Sequence, residues 1–458
     1  MFAWLSKTLR VAAIQRIEHR IHAVQPAHVH IAKGMAQVLL FVFLGKLVGA
    51  VKEMAIAYRY GVSGVVDAYV FALTLVTWLP GVWQSVLTVV LVPTFISLPE
   101  QEKRLFFSEL MGFHTIFGVV LALAIAVGLP FLVPHVFSDS SDEALLHAIA
   151  LIKGLAPIAI FSMLGGLLFT RLLAEEQFIN TLMESVPALC VFIAVLAWPN
   201  NGADFPISNP LLYGTLIGFG MYVGALWMLL IRAGISSCFR WTIRSAAWHT
   251  IWRGMGYMAL GQLVIALAGP IDQIMAASLG EGAIATLSYA NRVLALILGL
   301  GATAIGRSVL PVLSKAISRP RNAWHIARRW AQLLLLLGCG GVVFAWWLAP
   351  WVINVLFARG AFTSADAVRV VGVFRYGLVQ VPFYLSGTVI VQFLASYGKY
   401  RQIGAIAAAV TVIKVFANYI LMKWMGVSGV ALATGIMYMS SFVLCLLTGS
   451  RLVKGSSE

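Results

Sequence analysis

The sequence predicts an all-α polytopic membrane protein of about twelve transmembrane helices, arranged as two six-helix halves around a central cavity. Of its 458 residues, 60% are hydrophobic and only 11% are charged, and the mean hydropathy is +0.91. Soluble domains carry roughly 25% charged residues. Apolar stretches long enough to span a bilayer as helices recur from end to end, and the second half of the chain repeats features of the first.

Twelve apolar segments justify this fold class, each long enough for a membrane helix. We place them at roughly 35–60, 65–98, 108–134, 143–173, 180–198, 211–234, 247–279, 283–317, 324–357, 364–397, 401–424 and 427–450. The chain then divides into a basic amphipathic cytoplasmic segment (1–33), a first half (34–236) and a second half (237–458).

The loops between these segments differ in charge. One set contains Lys103 and Arg104, Arg171, Arg232 with Arg240 and Arg244, the basic run 315–329, Lys399 with Arg401, and Arg451 with Lys454. The other set, including 138–143, 199–210, 279–283 and 425–429, has almost no basic residue. Because basic loops stay in the cytoplasm, we expect an even number of spans with both termini cytoplasmic.

The formal net charge of +15 is explained by the same loops, which would contact anionic membrane lipids. We expect no nucleic-acid partner, because the sequence shows no folded polar domain to bind one. The four cysteines are scattered and form no CxxC pair, so neither a disulfide framework nor a metal site of that kind is predicted.

The two halves repeat motifs at corresponding places. GKLVGAVKEMAIAYRYG begins at Gly45, and GQLVIALAGPIDQIMAASLG begins at Gly261. Lys153 precedes FSMLGG, and 222 residues later Arg375 precedes FYLSGT. Parallel repeats of this kind surround a cavity that opens alternately to each side as one half rocks against the other.

Ionised side chains inside the predicted spans indicate function, because each costs roughly 2.5–3.5 kcal/mol at the bilayer centre. They are Lys46, Lys52, Glu53, Lys153, Asp272, Arg292, Arg307, Arg375 and Lys414. Cations outnumber anions by seven to two in this set, which favours an anionic ligand such as a diphosphate. We expect Lys414 and Arg307 to reach towards an interface rather than into the cavity.

Asp272 follows Pro270, which loosens the backbone hydrogen bonding of its helix. A carboxylate beside freed carbonyls suits a coupling ion, Na⁺ or H⁺; a salt bridge to Arg292 or Lys46 is the equal alternative. No other cofactor is predicted. The sequence has no Walker A, HExxH or GxSxG motif, so we expect a transporter and not an enzyme.

Three segments resemble the MurJ/MviN-type lipid II flippases. They are GKLVGAVKEMAIAYRYGVSGVVDAY (45–69), GEGAIATLSYANRVLALILGLGATAIGRSVLPVLSK (280–315) and ARGAFTSADA (358–367). In the first, Lys46 and Lys52 fall on the family's arginine pair and Asp67 on its aspartate. In the second, Arg292 falls on the family's eighth-span cavity arginine.

The resemblance implies the multidrug/oligosaccharidyl-lipid/polysaccharide exporter fold and movement of an undecaprenyl-diphosphate-linked saccharide between leaflets. It also implies a sodium site, with Asp272 on the family's acidic position and Asn418 as the eleventh-span group. Together with the charge pattern, it yields the candidate substrate-binding residues Lys46, Lys52, Glu53, Asp67, Lys153, Arg292 and Arg375.

Two departures from the family keep the cargo open. The stretch TWLPGVWQSVL (77–87) is uncharged where the family has an arginine pair and a glutamate, and we expect twelve spans where the typical member has fourteen. Lipid II and an exopolysaccharide precursor, the latter with glycan polymerase machinery as a partner, both fit. A cation-coupled exporter of drugs or other amphiphiles on the same fold is the alternative from another class.

Overall fold

Helices account for the regular structure of this chain wherever it is described. The computed structural model describes residues 26–136, 142–175, 177, 179–199, 209–235, 239–245, 247–248, 262–316 and 320–455. No strand occurs within those ranges. Most of the predicted segment 1–33 and the start of the predicted seventh span (247–279) lie outside the described residues.

The first half contributes eight described helices. They are α1 (Pro26–Tyr60), α2 (Gly64–Ser97), α3 (Glu100–Val136), α4 (Asp142–Leu155), α5 (Ile158–Ala174), the single turn α6 (Asn180–Met183), α7 (Val186–Ala197) and α8 (Asn209–Arg232). The second half contributes α9 (Ala268–Ala277), α10 (Ala283–Ala316), α11 (Pro320–Phe357), α12 (Ser364–Gly377), α13 (Gln380–Ser396), α14 (Tyr400–Met425) and α15 (Val427–Gly455).

These helices confirm the all-α membrane fold class. Nine described helical stretches are long and apolar enough to cross a bilayer, two of which, Asn180–Ala197 and Ser364–Ser396, each join two neighbouring helices. A tenth is added if the bent pair Leu145–Leu155 and Ile158–Ala174 forms one span. The described end of the predicted seventh span is a shorter apolar helix, Gln262–Ala277. The total of twelve spans stays a prediction.

One pair of helices occurs twice with the same lengths. The pair α4 and α5 in the first half corresponds to α12 and α13 in the second, and every boundary of the second pair lies 222 residues after its counterpart. Pro157 stands at the first break and Pro382 in the first turn of α13, positions where the missing N–H of proline costs little. This repeat supports an organisation in two similar halves; the boundary near residue 236 stays a prediction.

A network of hydrogen bonds joins the two halves at one end of the molecule. We call it the inter-half seal: residues 58–67 of the first half against 281–289 and 360–362 of the second. Tyr58 O accepts from Ala361 N at 2.8 Å, Gly61 O accepts from the Tyr289 hydroxyl at 3.0 Å, and Glu281 Oε1 accepts from Gly64 N at 2.9 Å.

Two glycines permit the close approach of the backbones in the seal. Gly61 and Gly360 both have a positive φ, of 59° and 61°, which side-chain-bearing residues rarely adopt. A Cβ at Gly61 would collide with Ala361 O, and one at Gly360 with Tyr58 O. The seal therefore needs glycine at both positions.

Asp67 is the buried centre of the seal. Its two carboxylate oxygens each accept a 2.6 Å hydrogen bond, from Gly282 N and from Ala285 N, at the start of α10. The first N–H groups of a helix lack partners within the helix, and a carboxylate there is also favoured by the helix dipole. Asp67 thus caps a helix of the opposite half.

The segment that connects the halves is held against the first half by Glu109 of α3. This carboxylate accepts hydrogen bonds from Thr242 Oγ1, the backbone N–H groups of Arg244 and Ser245, and Trp248 Nε1, at 2.9–3.1 Å. Glu109 is only 1% exposed. A buried carboxylate needs this many donors to offset its lost hydration, so the connecting segment is anchored where it leaves the first half.

The seal should depend on Asp67. Asp67→Ala leaves two N–H groups at the N-terminal end of α10 without acceptors, so we expect the free energy of unfolding to fall by about 1–3 kcal/mol and the sealed end to open more often. A cysteine placed at buried Thr286, in a chain otherwise free of cysteine, should then react faster with a water-soluble maleimide.

The matched control is Asp366→Ala. Asp366 is equally buried, at 4% exposure, but its carboxylate caps α12 within one half. Equal labelling rates for the two variants would contradict a specific role of Asp67 in joining the halves.

Candidate functional site

A cavity of about 490 Å³ lies between the two halves. Its walls come from α1 and the α6–α7 region of the first half, and from α10 and the end of α11 in the second. The charged residues that line it are Lys46, Lys52, Glu53, Glu184 and Arg292. Glycines at positions 45 and 49 line the same wall as Lys46 and Lys52, as their helical spacing predicted.

Glu53 links the cations of the two halves. Its Oε1 atom lies 2.7 Å from Lys52 Nζ, on the same helix, and 3.0 Å from Arg292 Nε, on α10. The side chains of Lys52 and Glu53 are buried, whereas that of Arg292 is 53% exposed. One carboxylate thus holds a cation of each half at the cavity.

The cavity still carries an excess of positive charge. Lys46 has no acidic partner within 4 Å among the residues that the structure describes. Glu184 also lines the cavity and forms no ion pair with any residue in the described ranges. With all five groups ionised, three cations face two carboxylates, so the cavity has a net charge of +1 and its positive groups come from both halves.

Three predicted site residues lie elsewhere. Asp67 serves the inter-half seal. Lys153 is exposed in the last turn of α4 and is not part of the cavity lining. Arg375 donates from Nε to Trp346 O at 3.1 Å and stacks on the Trp346 ring, so its guanidinium packs against α11 instead of the cavity.

Asp272 and Asn418 do come together, as the resemblance implied, but with a third residue between their helices. Asp272 Oδ2 accepts from Lys414 Nζ at 2.7 Å, and Asp272 Oδ1 accepts from Asn418 Nδ2 at 2.9 Å. Lys414 and Asn418 are four residues apart on α14 and share a face. Lys414 is 2% exposed; the expectation that it reaches an interface was wrong.

The surroundings of Asp272 do not fit a sodium ion. Pro270 has no N–H to donate to Ala266 O, but Trp78 Nε1 donates to that carbonyl at 2.8 Å. Ala268 O lies 3.3 Å from the Lys414 ammonium. The Asp272 carboxylate and the Ala266 and Ala268 carbonyls thus already accept hydrogen bonds from side chains of the protein. The salt-bridge alternative was right in kind, although the partner is Lys414 and not Arg292 or Lys46.

The two tryptophans of the uncharged stretch 77–87 also pack against neighbouring helices. Besides Trp78, Trp83 donates from Nε1 to His114 Nε2 at 3.0 Å and packs against the rings of Phe113 and Phe117. These contacts fix both indoles against neighbouring helices. Neither tryptophan lines the cavity.

Comparison with known proteins identifies the family of the chain. The profile of the lipid II flippase MurJ family matches residues 56–456, which is most of the chain. The chain belongs to the MurJ family. MurJ proteins are bacterial membrane transporters and not enzymes, and the apolar helices described above agree with a multi-pass membrane protein.

Curated MurJ relatives match over long stretches. The probable lipid II flippase MurJ of Buchnera aphidicola subsp. Baizongia pistaciae (strain Bp) is 23% identical over 435 residues, covering 91% of this chain and 82% of its own. The probable lipid II flippase MurJ of Rhizobium meliloti (strain 1021) is 26% identical over 375 residues, covering 76% and 68%.

Solved structures show the same fold. A lipid II flippase MurJ in an inward closed conformation superposes with a TM-score of 0.77 at 21% identity, covering 90% of this chain and 87% of that one. An inward-facing multidrug resistance MATE family transporter of the MOP superfamily gives 0.70 at 15% identity, with coverage of 92% and 98%.

Glu184 is the charged cavity residue that sequence analysis missed. It lies inside the predicted span 180–198, so the rule applied to the other intramembrane charges would have found it. Its helix breaks at this point, between α6 and α7, which directs the side chain into the cavity.

Removing this charge should strengthen anion binding. Glu184→Gln raises the net charge of the cavity by one, and a unit charge several ångströms away is worth about 1 kcal/mol in a partly hydrated site. We expect inorganic pyrophosphate to bind the purified variant about fivefold more tightly, measured by calorimetry at fixed ionic strength. Glu102→Gln, at an exposed position outside the cavity, is the control; an equal gain there would show a nonspecific effect of net charge.

Proposed function

We propose that this chain moves an undecaprenyl-diphosphate-linked saccharide across the bacterial inner membrane by alternating access. The observation that carries the proposal is the net positive cavity between the halves, with Lys46 and Lys52 on α1 and Arg292 on α10. Membership of a lipid II flippase family supports a lipid-linked saccharide as cargo. The same positive charge disfavours cationic drugs.

The chemistry of the three cations suits a diphosphate. Arg292 uses Nε for Glu53, while its terminal nitrogens form no hydrogen bond to any residue in the described ranges, and these nitrogens pair well with phosphate oxygens. Lys46 supplies a compact point charge. Glu53 keeps Lys52 and Arg292 in place before the cargo arrives, so binding needs less ordering of flexible side chains.

The position of the seal supports entry of the cargo from the cytoplasmic side. The seal closes one end of the interface between the halves, at the loops predicted to be periplasmic, and the cavity lies beyond it along α1 and α10. The cavity would therefore receive cargo from the cytoplasmic side, and breaking the seal would open it to the periplasm. Cargo that engages both α1 and α10 is well placed to influence that exchange, because it contacts both halves at once.

Transport assays of variants should distinguish the cations that line the cavity from basic residues outside it. We expect Lys46→Ala, Lys52→Ala and Arg292→Ala each to reduce movement of a fluorescent diphosphate-linked sugar in reconstituted vesicles by at least about tenfold, since each removes a charged hydrogen-bond partner worth roughly 1.5–3 kcal/mol. Lys153→Ala is the matched control, because Lys153 is an exposed lysine outside the cavity. Normal flux in all three cavity variants would refute the proposed binding site.

The predicted orientation can be tested separately. Both termini and the loop at 315–329 should be cytoplasmic, because basic residues concentrate there. Arg321→Cys, in a chain without its four natural cysteines, should be protected from an impermeant maleimide in intact cells and labelled after permeabilisation. Labelling in intact cells would invert the topology.

The identity of the saccharide needs a cellular test. Because Trp78 and Trp83 are held by neighbouring helices, recognition falls mainly on the diphosphate, and we expect lipid II to be accepted. Expression in cells depleted of their own lipid II flippase should then restore growth. Lack of rescue by protein that reaches the membrane would favour an exopolysaccharide precursor, handed to glycan polymerase machinery.

A further inference from the structure

The cluster of Asp272, Lys414 and Asn418 lies apart from the substrate cavity and has no part in holding the diphosphate. We propose that the Lys414 ammonium is a built-in cation that takes the place of a bound Na⁺ at Asp272, so that this transporter works independently of sodium. The inference concerns the ion and not the cargo, and it stands whichever saccharide is moved.

The ammonium is held as a bound cation would be. Its Nζ atom lies 2.7 Å from Asp272 Oδ2 and 3.3 Å from the backbone carbonyl of Ala268, so α9 supplies an anionic and a neutral oxygen. Asn418 donates to the second carboxylate oxygen at 2.9 Å. Asp272, Lys414 and Asn418 are 8%, 2% and 0% exposed, so these contacts are largely shielded from water.

Charge balance argues against a metal ion beside this lysine. One carboxylate and one ammonium already sum to zero, and a further cation within a few ångströms would face the repulsion of the ammonium in a poorly hydrated site. One buried oxygen near the pair, Asn418 Oδ1, has no donor among the described residues. A single neutral amide oxygen does not offset that repulsion or replace the lost hydration shell of the ion.

A tethered cation differs from a metal ion in that it cannot leave. The link between α9 and α14 therefore persists at any sodium concentration, and a sodium gradient has nothing to act on at this site. A ligand shifts a conformational equilibrium only through different affinities for the two states. An ion that does not bind has no such difference in affinity and cannot shift the equilibrium.

The first experiment measures thermal unfolding of the purified full-length chain in NaCl and in KCl at equal ionic strength. The wild type should have the same midpoint in both salts across the series. Lys414→Gln leaves the carboxylate, the Ala268 carbonyl and the Asn418 amide without a cation. This variant should have a lower midpoint in KCl and recover part of the loss, saturably, as NaCl replaces KCl.

Two further variants keep the test decisive. Asp272→Asn combined with Lys414→Gln removes both charges, so it should unfold at a higher temperature than Lys414→Gln in KCl and show no response to Na⁺. Lys423→Gln changes a lysine on the same helix that packs on the Tyr419 ring, and should also show none. If Lys414→Gln alone does not fold, the double variant and the wild type still report on sodium.

The result that overturns the proposal is a saturable, sodium-specific rise in the midpoint of the wild type. A normal midpoint for Lys414→Gln with no response to Na⁺ would overturn it as well, because the lysine would then not balance Asp272. Flux in vesicles gives an independent check: wild-type transport should be equal with inward, outward or no sodium gradient. Transport that is lost altogether in every salt would count against the proposed function and not against this inference.

Discussion

An ionised group inside a membrane protein must be neutralised by the protein itself, because the hydrocarbon offers neither water nor mobile ions. That constraint explains the surroundings of three buried carboxylates. Glu53 is held between Lys52 and Arg292, Asp272 between Lys414 and Asn418, and Asp67 against two backbone N–H groups. Each carboxylate also binds groups on helices that are far apart in the chain. The contacts that neutralise these charges therefore also hold the helix bundle together.

The same constraint separates the charges that hold the structure together from those available for cargo. A buried pair that loses one partner is destabilised strongly, by about 3–5 kcal/mol, so Asp272 and Lys414 are ill suited to exchange partners during each cycle. Arg292 is half exposed, and Lys46 forms no ion pair with a carboxylate in the part of the chain that the structure describes, which leaves both able to meet an anion. The excess of cations in the sequence becomes, in the folded chain, an excess of one in the cavity.

The fold could be predicted from the sequence because composition, loop charge and internal repetition are distributed over the whole chain. The site could be predicted only in part. Lys46, Lys52, Glu53 and Arg292 were recognised because charges within apolar spans stand out. The partner of Asp272 lies 142 residues away and that of Asp67 about 215; no local pattern encodes which distant helix a side chain will meet. The position of Lys414 was predicted wrongly for that reason.

Helix α10 joins two functional points of the molecule. Its N-terminal end donates backbone hydrogen bonds to Asp67, and two turns later it carries the cavity residue Arg292. Ala285 N, held by Asp67, and Arg292, held by Glu53, are seven residues apart, a rise of about 10 Å along an α-helix. Two turns of hydrogen-bonded helix do not stretch or unwind easily. A displacement of Arg292 along the helix axis is therefore transmitted to the N-terminal end of α10, which Asp67 caps, because a rigid helical segment joins the two points.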